Sequence, residues 1–207
     1  MNLIMCIFKK IHKDLLKKSY EFVSLRSEIK INGVIEIKKS DLDLFCFLFK
    51  TIISQQISDK VATSIWERIC LKLKVRRLEL NDFSNKKKLK TLLEEVKISS
   101  LKTNYILGIY NDFEQNKIND DQIKKLDETN IRSLLMQYRG VGSWTCDMVL
   151  IFFLGYLNIF PRNDLVIKKV LIKIQKIESQ NIDFEKKFSP YLSIFSLHLW
   201  KMSKRIL

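Results

Sequence analysis

Apolar residues recur at helical spacing along most of this chain. In residues 3–25, for example, Leu3, Ile7, Ile11 and Leu15 alternate with lysines, and Phe22 follows, which predicts a basic amphipathic helix. The few glycines and prolines leave little room for the turns of an all-β protein. We therefore expect an all-α fold. The pattern predicts further helices over residues 41–53, 81–96, 99–113, 120–127, 129–138, 143–154, 164–174, 182–188 and 190–203.

One early stretch departs from this pattern. Residues 26–38 alternate apolar and polar positions around Asn32 and Gly33, which favours either a short hairpin or an irregular linker. We therefore expect two parts. Residues 1–39 would form an N-terminal basic helix with a short hairpin or linker that packs on the core, and residues 40–207 would form the core itself.

The starts of several helices carry capping residues. Ser40 is the candidate cap of the apolar helix over residues 41–53, and Ser58 with Asp59 can cap the helix that follows residues 54–58. Thr129 or Asn130 is the candidate cap of the helix that precedes the glycine-rich segment described below.

The charge of the chain is strongly positive. A formal net charge of +14 and a pI near 9.6 predict attraction to a polyanion and binding that weakens with salt. The alternative is that a composition rich in lysine and isoleucine reflects the base composition of the genome.

Cysteine and histidine usage limits the possible metal sites. The four cysteines lie far apart in apolar helical patterns, so we expect buried free thiols in a reducing compartment. Two histidines are too few to favour a zinc site, so no metal held by side chains is expected.

No stretch reaches the length of a membrane span, and the apolar start precedes its lysines, the reverse of a signal peptide. We expect an intracellular protein.

The most informative segment begins at two glycines between predicted helices. Gly140 and Gly142 allow a tight turn that opens a helix and leaves N–H groups at its positive end, an arrangement that suits a phosphate. Asp164 follows at the start of the next helix, just after Pro161. The simpler interpretation is a glycine turn followed by an ordinary helix cap.

The sequence YRGVGSWTCDMVLIFFLGYLNIFPRNDLVIKKVL, residues 138–171, resembles the hairpin and catalytic segment of the helix-hairpin-helix DNA glycosylases. It is most similar to the 3-methyladenine (alkylpurine) glycosylase II branch, and weaker similarity extends over residues 40–205. The resemblance implies two helical lobes with a cleft between them and a hairpin at residues 138–145.

The resemblance also implies roles for individual residues. Asp164 matches the catalytic carboxylate, although as a helix cap it would use its oxygens on its own helix unless Asn163 caps instead. Gln56, with Gln55 as second choice, matches the wedge that enters the duplex where the target nucleotide leaves. The remaining matches are the base pocket, with Trp144, Met148 and Trp200, and the DNA backbone contacts, with Arg139, Gly140, Val141, Gly142 and Thr145.

The implied activity is removal of alkylated purines of the 3-methyladenine and 7-methylguanine type from duplex DNA. Relatives that also cleave the strand carry a hairpin lysine where this chain has Trp144, so hydrolysis without lyase activity is expected. Two alternatives remain open: a glycosylase for another base lesion, and a DNA-binding module without catalysis.

The resemblance limits cofactors and partners as well. Some relatives hold an iron–sulfur cluster on cysteines after the catalytic region, but no cysteine follows Cys146 here, so no cluster is expected. Family hairpins often bind a monovalent cation through main-chain carbonyls, and no other cofactor is expected. The expected partner is double-stranded DNA with damaged bases, bound by a monomer in the cytoplasm and nucleoid, or in the nucleus of a eukaryote.

Overall fold

The computed structural model describes the backbone of residues 3–207 and the side chains from residue 5 onward. Met1, Asn2 and the side chain of Leu3, all included in the predictions above, lie outside the described residues. Within them, the chain forms α-helices and no β-strand, which confirms the all-α prediction. The helices are α1 Leu3–Lys18, α2 Val23–Asn32, α3 Leu44–Ser54, α4 Asp59–Leu73, α5 Lys86–Glu95, α6 Ser100–Glu114, α7 Asp120–Lys124, α8 Glu128–Leu135, α9 Ser143–Met148, α10 Leu165–Glu178, α11 Phe184–Phe188 and α12 Leu192–Ile206.

The N-terminal region differs from its prediction. A turn at residues 19–22 divides the expected helix over residues 3–25 into α1 and α2. The stretch predicted as a hairpin or linker is helical as far as Asn32, because Leu25 and Ile29, one turn apart, are both fully buried. Gly33 then ends α2 with φ +68°, a left-handed conformation that glycine adopts without a Cβ clash.

Two predicted caps are corrected by the structure. Asp43, not Ser40, caps α3, because its Oδ1 accepts a hydrogen bond from Cys46 N at 2.8 Å while its Oδ2 accepts one from Leu80 N at 2.7 Å. Asp127, rather than Thr129 or Asn130, caps α8. In contrast, Ser58 caps α4 as predicted.

The chain divides into two compact units whose boundaries differ from the sequence-based division. The central unit is Ser40–Val149. The terminal unit combines the described residues up to Lys39 with Leu150–Leu207, which the sequence-based division had assigned to the core of residues 40–207. The reason is a shared apolar core: Leu15 and Leu25 of the N-terminal helices are fully buried in one cluster with Phe195 and Leu199 of α12.

The central unit is built around α3, a strongly apolar helix. Almost every side chain of α3 is buried, and Phe45 packs against the rings of Phe83 and Tyr110 with centroids 5.7 and 5.6 Å away. The Tyr110 hydroxyl donates to Phe83 O at 2.8 Å, and burial raises the pKa of Tyr110 to about 12. This packing fixes α3 and therefore the turn that follows it.

The cysteines agree only in part with the expectation of buried thiols. Cys46 and Cys146 are buried, Cys70 is half-buried, and Cys6 is exposed on α1.

Among the helices of residues 3–207, none combines the length and the apolarity required to cross a membrane.

Candidate functional site

The glycine turn lies between α8 and α9 in the central unit. Gly140 has φ +85°, and a Cβ added there would lie 2.2 Å from Cδ2 of Tyr105. Gly142 has φ −106° and caps α9, and an added Cβ would meet no atom within 4 Å. Glycine is therefore required at the first position, by both conformation and close packing, whereas the second position has room for a side chain.

The structure places two of the predicted DNA backbone contacts, Val141 and Thr145, in the interior of the turn. The N–H of Val141 donates to Tyr138 O at 3.0 Å, so it closes the turn instead of facing a phosphate. Thr145 is only 1% exposed, and its hydroxyl accepts a hydrogen bond from the Gln55 amide at 3.1 Å. Arg139 and Gly142 are exposed and Gly140 is half-buried, so these three residues remain candidates for contact with the DNA backbone.

The two candidate wedge residues occupy different environments. Gln56 is exposed and has φ +58°, so the chain turns sharply there between α3 and α4. Gln55 is half-buried, and its side-chain amide donates to Gly140 O at 2.9 Å and to Thr145 Oγ1 at 3.1 Å. Only Gln56 therefore has the exposure that a wedge requires.

The predicted base-pocket residues are divided between the two units. In the central unit, Trp144 is half-buried on α9, and Met148 lies one helical turn further and is 7% exposed. A π-helical segment, Val149–Leu154, continues α9. In the terminal unit, Trp200 of α12 is half-buried and its ring lies 5.9 Å from that of Phe152. Trp200 therefore contributes to packing as well as to the surface.

The terminal unit holds the predicted catalytic carboxylate. Asp164, not Asn163, is the cap of α10: its Oδ1 accepts a hydrogen bond from Ile167 N at 2.9 Å. Its own N–H donates to Pro161 O at 2.9 Å, and the residue is 8% exposed. The carboxylate is thus held in a defined orientation rather than extended into solvent.

The loop that leads to Asp164 is attached to α12 by a residue that sequence reasoning did not identify. Ser193 is fully buried, its hydroxyl donates to Tyr156 O at 2.6 Å, and it accepts a hydrogen bond from Ile159 N at 3.0 Å. At the exposed side of this loop, Arg162 forms an ion pair with Glu185 of α11. A serine distant in sequence gives no local signal, because only the tertiary fold brings it to this loop.

Two further unpredicted residues lie on α6. Lys102 donates to the main-chain carbonyls of Ile53 and Gln55, at 2.6 and 2.8 Å. Tyr105, one turn later, packs on Gly140. Both lie in the helix predicted over residues 99–113, but the helical pattern does not indicate which of its side chains contact the turn or the hairpin.

An all-α fold with a glycine hairpin and a carboxylate at a later helix start is the arrangement that the resemblance to helix-hairpin-helix DNA glycosylases implied. In agreement, the sequence profile of the HhH-GPD superfamily of base excision DNA repair proteins matches residues 49–192, and the chain belongs to this superfamily. The family expected from the sequence is thereby confirmed.

Individual relatives show lower similarity. A Bacillus subtilis protein assigned provisionally as a DNA-3-methyladenine glycosylase is 23% identical over 78% of this chain, and the match spans 59% of that protein. The DNA-3-methyladenine glycosylase of Saccharomyces cerevisiae is 26% identical over 90% of this chain and 73% of its own length. The solved Schizosaccharomyces pombe 3-methyladenine DNA glycosylase, in complex with abasic DNA, aligns with TM-score 0.75 at 18% identity, covering 94% of this chain and 97% of that one.

Proposed function

We propose that this protein is a monofunctional DNA glycosylase that removes alkylated purines, of the 3-methyladenine and 7-methylguanine type, from double-stranded DNA. The observation that carries the proposal is the placement of Asp164: a nearly buried carboxylate fixed by its own helix, in the segment that follows the glycine hairpin. The names of the Bacillus and yeast relatives support the choice of substrate.

Binding precedes chemistry in this proposal. The positive charge of the chain attracts the duplex, and the exposed Arg139 and the hairpin main chain around Gly142 contact phosphates without reading sequence. Rotating a nucleotide out of the stack costs a few kcal/mol. Gln56 fills the gap that the nucleotide leaves. Stacking on an aromatic face returns about 1–3 kcal/mol per base. The proposed stacking surfaces are Trp144, with Met148, in the central unit and Trp200 in the terminal unit.

The chemical step replaces the base by water. As the bond between C1′ and the purine nitrogen breaks, its electron pair moves to the base and neutralises the positive charge that alkylation placed there. The sugar becomes oxocarbenium-like, and the Asp164 carboxylate stabilises this cation and orients water, as carboxylates do in sugar hydrolysis. Water oxygen bonds to C1′ and the released proton passes to the carboxylate or to solvent.

The absence of an amine at the hairpin supports hydrolysis alone. Strand cleavage requires a nucleophilic amine that forms a Schiff base with C1′. The position that would supply it is Trp144, whose indole nitrogen is not such a nucleophile. We therefore propose base release that leaves an intact abasic strand.

Main-chain oxygens of the hairpin are proposed to tolerate a monovalent cation. The carbonyls of Tyr138, Gly140 and Gly142 accept hydrogen bonds from Val141 N, the Gln55 amide and Cys146 N. A carbonyl oxygen has two lone pairs, so each retains the capacity to contact a cation, which would add positive charge for a phosphate. One chain supplies every group named in this proposal, so we expect the protein to act as a monomer.

A base-release assay tests the proposal. Wild-type protein incubated with a methylated duplex should release free 3-methyladenine and 7-methylguanine, and borohydride should trap no covalent complex with DNA. Asp164→Asn should reduce release at least a hundredfold, on the scale of a lost electrostatic contact in catalysis, while DNA binding persists. Normal turnover by Asp164→Asn would refute the catalytic assignment. Tight lesion binding by wild type without release would indicate a silent binding module, and release from oxidised or deaminated duplexes only would indicate another lesion.

A further inference from the structure

We propose that Gln55 is a positioning residue that joins the wedge turn, residues 54–58, to the glycine hairpin, residues 138–145, and does not itself enter DNA. Lys102 completes this connection by fixing the main chain of the turn. The predicted effect on base release rests on the proposed function, whereas the connection itself can be tested without it.

The Gln55 side chain makes the connection directly. Its Nε2 lies 2.9 Å from Gly140 O and 3.1 Å from Thr145 Oγ1. A main-chain carbonyl only accepts hydrogen bonds, so the nitrogen of the amide, and not its oxygen, must face Gly140. The two hydrogens of that nitrogen satisfy both acceptors. Because Thr145 is 1% exposed, the far end of Gln55 is held against the inside of the hairpin, away from solvent.

The main chain of the turn is held from the other side. The Lys102 ammonium donates to Ile53 O at 2.6 Å and to Gln55 O at 2.8 Å, where α3 ends. A cation at the carbonyl end of a helix is favoured by the helix dipole. Lys102 is half-buried, and this burial lowers its pKa. The next residue, Gln56, adopts φ +58° and is exposed, so its direction depends on the carbonyls that Lys102 holds.

The same helix also contacts the hairpin. Tyr105, one turn after Lys102 on α6, packs so closely on Gly140 that a Cβ there would lie 2.2 Å from its ring. The wedge turn, the hairpin and α6 therefore form a closed set of contacts within the central unit. These contacts hold the wedge and the phosphate-binding turn at a fixed separation before DNA binds. Less conformational entropy is then lost when a nucleotide is flipped out.

Substitution of Gln55 separates positioning from wedging. Gln55→Met keeps the length of the side chain and removes both donors. We expect the turnover number for base release to fall about tenfold, the scale of one or two lost hydrogen bonds, with KM for methylated duplex changed less than about twofold. Thr145→Val removes one acceptor at a buried position. Because Gln55→Met already removes the hydrogen bond to Thr145, the two substitutions should not be additive. The double variant should turn over no more slowly than Gln55→Met alone.

Two further measurements complete the test. In the free protein, amide hydrogen exchange at residues 138–145 should become at least about tenfold faster in Gln55→Met and remain as in wild type in Gln56→Met. Lys102→Arg, which keeps a charged donor, should retain most of the turnover that Lys102→Met loses.

The possible outcomes separate this inference from the proposed function. If wild type releases no alkylated purine, the proposed function fails, and the exchange measurement still decides whether Gln55 holds the hairpin. Unchanged exchange in Gln55→Met overturns the inference. Fully additive effects of Gln55→Met and Thr145→Val on turnover would also overturn it. Additivity is the result expected if Gln55 acts on DNA as a wedge, independently of the buried Thr145.

Discussion

Arg132 of α8 and Asp147 of α9 form an ion pair across the glycine hairpin, with 2.7 Å between the guanidinium nitrogen and the carboxylate oxygen. The side chain of Asp147 is 6% exposed and that of Arg132 is 27% exposed. Arg132 also contacts Glu128 at 2.9 Å on its own helix. The pair therefore joins the two helices that the hairpin connects.

Removing the arginine should cost more than neutralising the aspartate. Arg132→Met takes the cation away from a nearly buried carboxylate, and we expect a loss of about 3 kcal/mol in the free energy of unfolding. Asp147→Asn keeps the shape and a hydrogen-bond acceptor and should cost about 1–2 kcal/mol. As a control, Glu95→Gln removes the exposed pair with Lys72 and should cost under about 1 kcal/mol. Urea unfolding measures all three, and equal values for Arg132→Met and Glu95→Gln would contradict a structural role.

Asp164 combines two roles that two substitutions can separate. Asparagine is as good a helix cap as aspartate, so Asp164→Asn should leave the free energy of unfolding within about 0.5 kcal/mol of wild type. Asp164→Ala removes the acceptor for Ile167 N and should cost about 1 kcal/mol. Both should abolish most base release. Thermal unfolding together with the release assay checks this, and a stable, fully active Asp164→Ala would contradict both roles.

The two hairpin glycines should respond differently to alanine. Gly140→Ala adds a Cβ at φ +85° against the Tyr105 ring, so we expect a loss of at least about 2 kcal/mol in stability and weakened DNA binding. Gly142→Ala meets open space at φ −106° and should change stability by less than about 1 kcal/mol. Chemical denaturation of both variants is the measurement. Similar losses at the two positions would show that the close approach of Tyr105 is not decisive.

A buried histidine should make the fold sensitive to acid. His198 is fully buried, its Nδ1 lies 3.1 Å from the Asn32 amide nitrogen, and its ring stacks on His12 with centroids 5.8 Å apart. Burial, with the positive charges of His12 and Lys201, lowers the pKa of His198 to about 3. Burial also lowers the pKa of His12.

The sign of the effect follows from proton uptake. Between pH 6.5 and the lowered pKa, the unfolded chain binds a proton that the folded chain does not, so stability falls as the pH decreases. From pH 7.5 to 5 we expect His198 to account for a loss of about 2 kcal/mol. His198→Gln, which does not titrate but can still accept from Asn32, should remove that part of the pH dependence. If the free energy of unfolding of wild type and of His198→Gln changes in parallel with pH, His198 is not the cause of the acid sensitivity.

Salt dependence should report on the exposed arginine of the hairpin. If Arg139 contacts a phosphate, Arg139→Gln should reduce the slope of log affinity against log salt concentration by about 1, equally for damaged and undamaged duplexes. Lys72→Gln, at an exposed position paired with Glu95, serves as a control for the change in net charge alone. Equal slopes of log affinity against log salt concentration for Arg139→Gln and Lys72→Gln would show that Arg139 does not contact a phosphate.

Much of the fold was predictable because it depends on local pattern. The helical spacing of apolar residues gave the helix content, and Ser58 was correctly predicted as a cap because it directly precedes the helix that begins at Asp59. The caps of α3 and α8 were misassigned, since several neighbouring polar residues can cap and only the packed helix selects one. The assignment of residues 150–207 with the N-terminal helices could not be predicted, because the partners in that core are distant in sequence.

The sequence by itself determined the chemical groups: the glycine that the turn requires, the carboxylate after Pro161, the tryptophan in place of an amine, and the excess of positive charge. Tertiary structure decided how those groups are used. It assigned Asp164 rather than Asn163 to the cap, removed Thr145 from the surface and turned Gln55 toward Gly140. The physical reason is that exposure and hydrogen-bond partners depend on which distant helices pack together, and residue spacing along one chain does not contain that information.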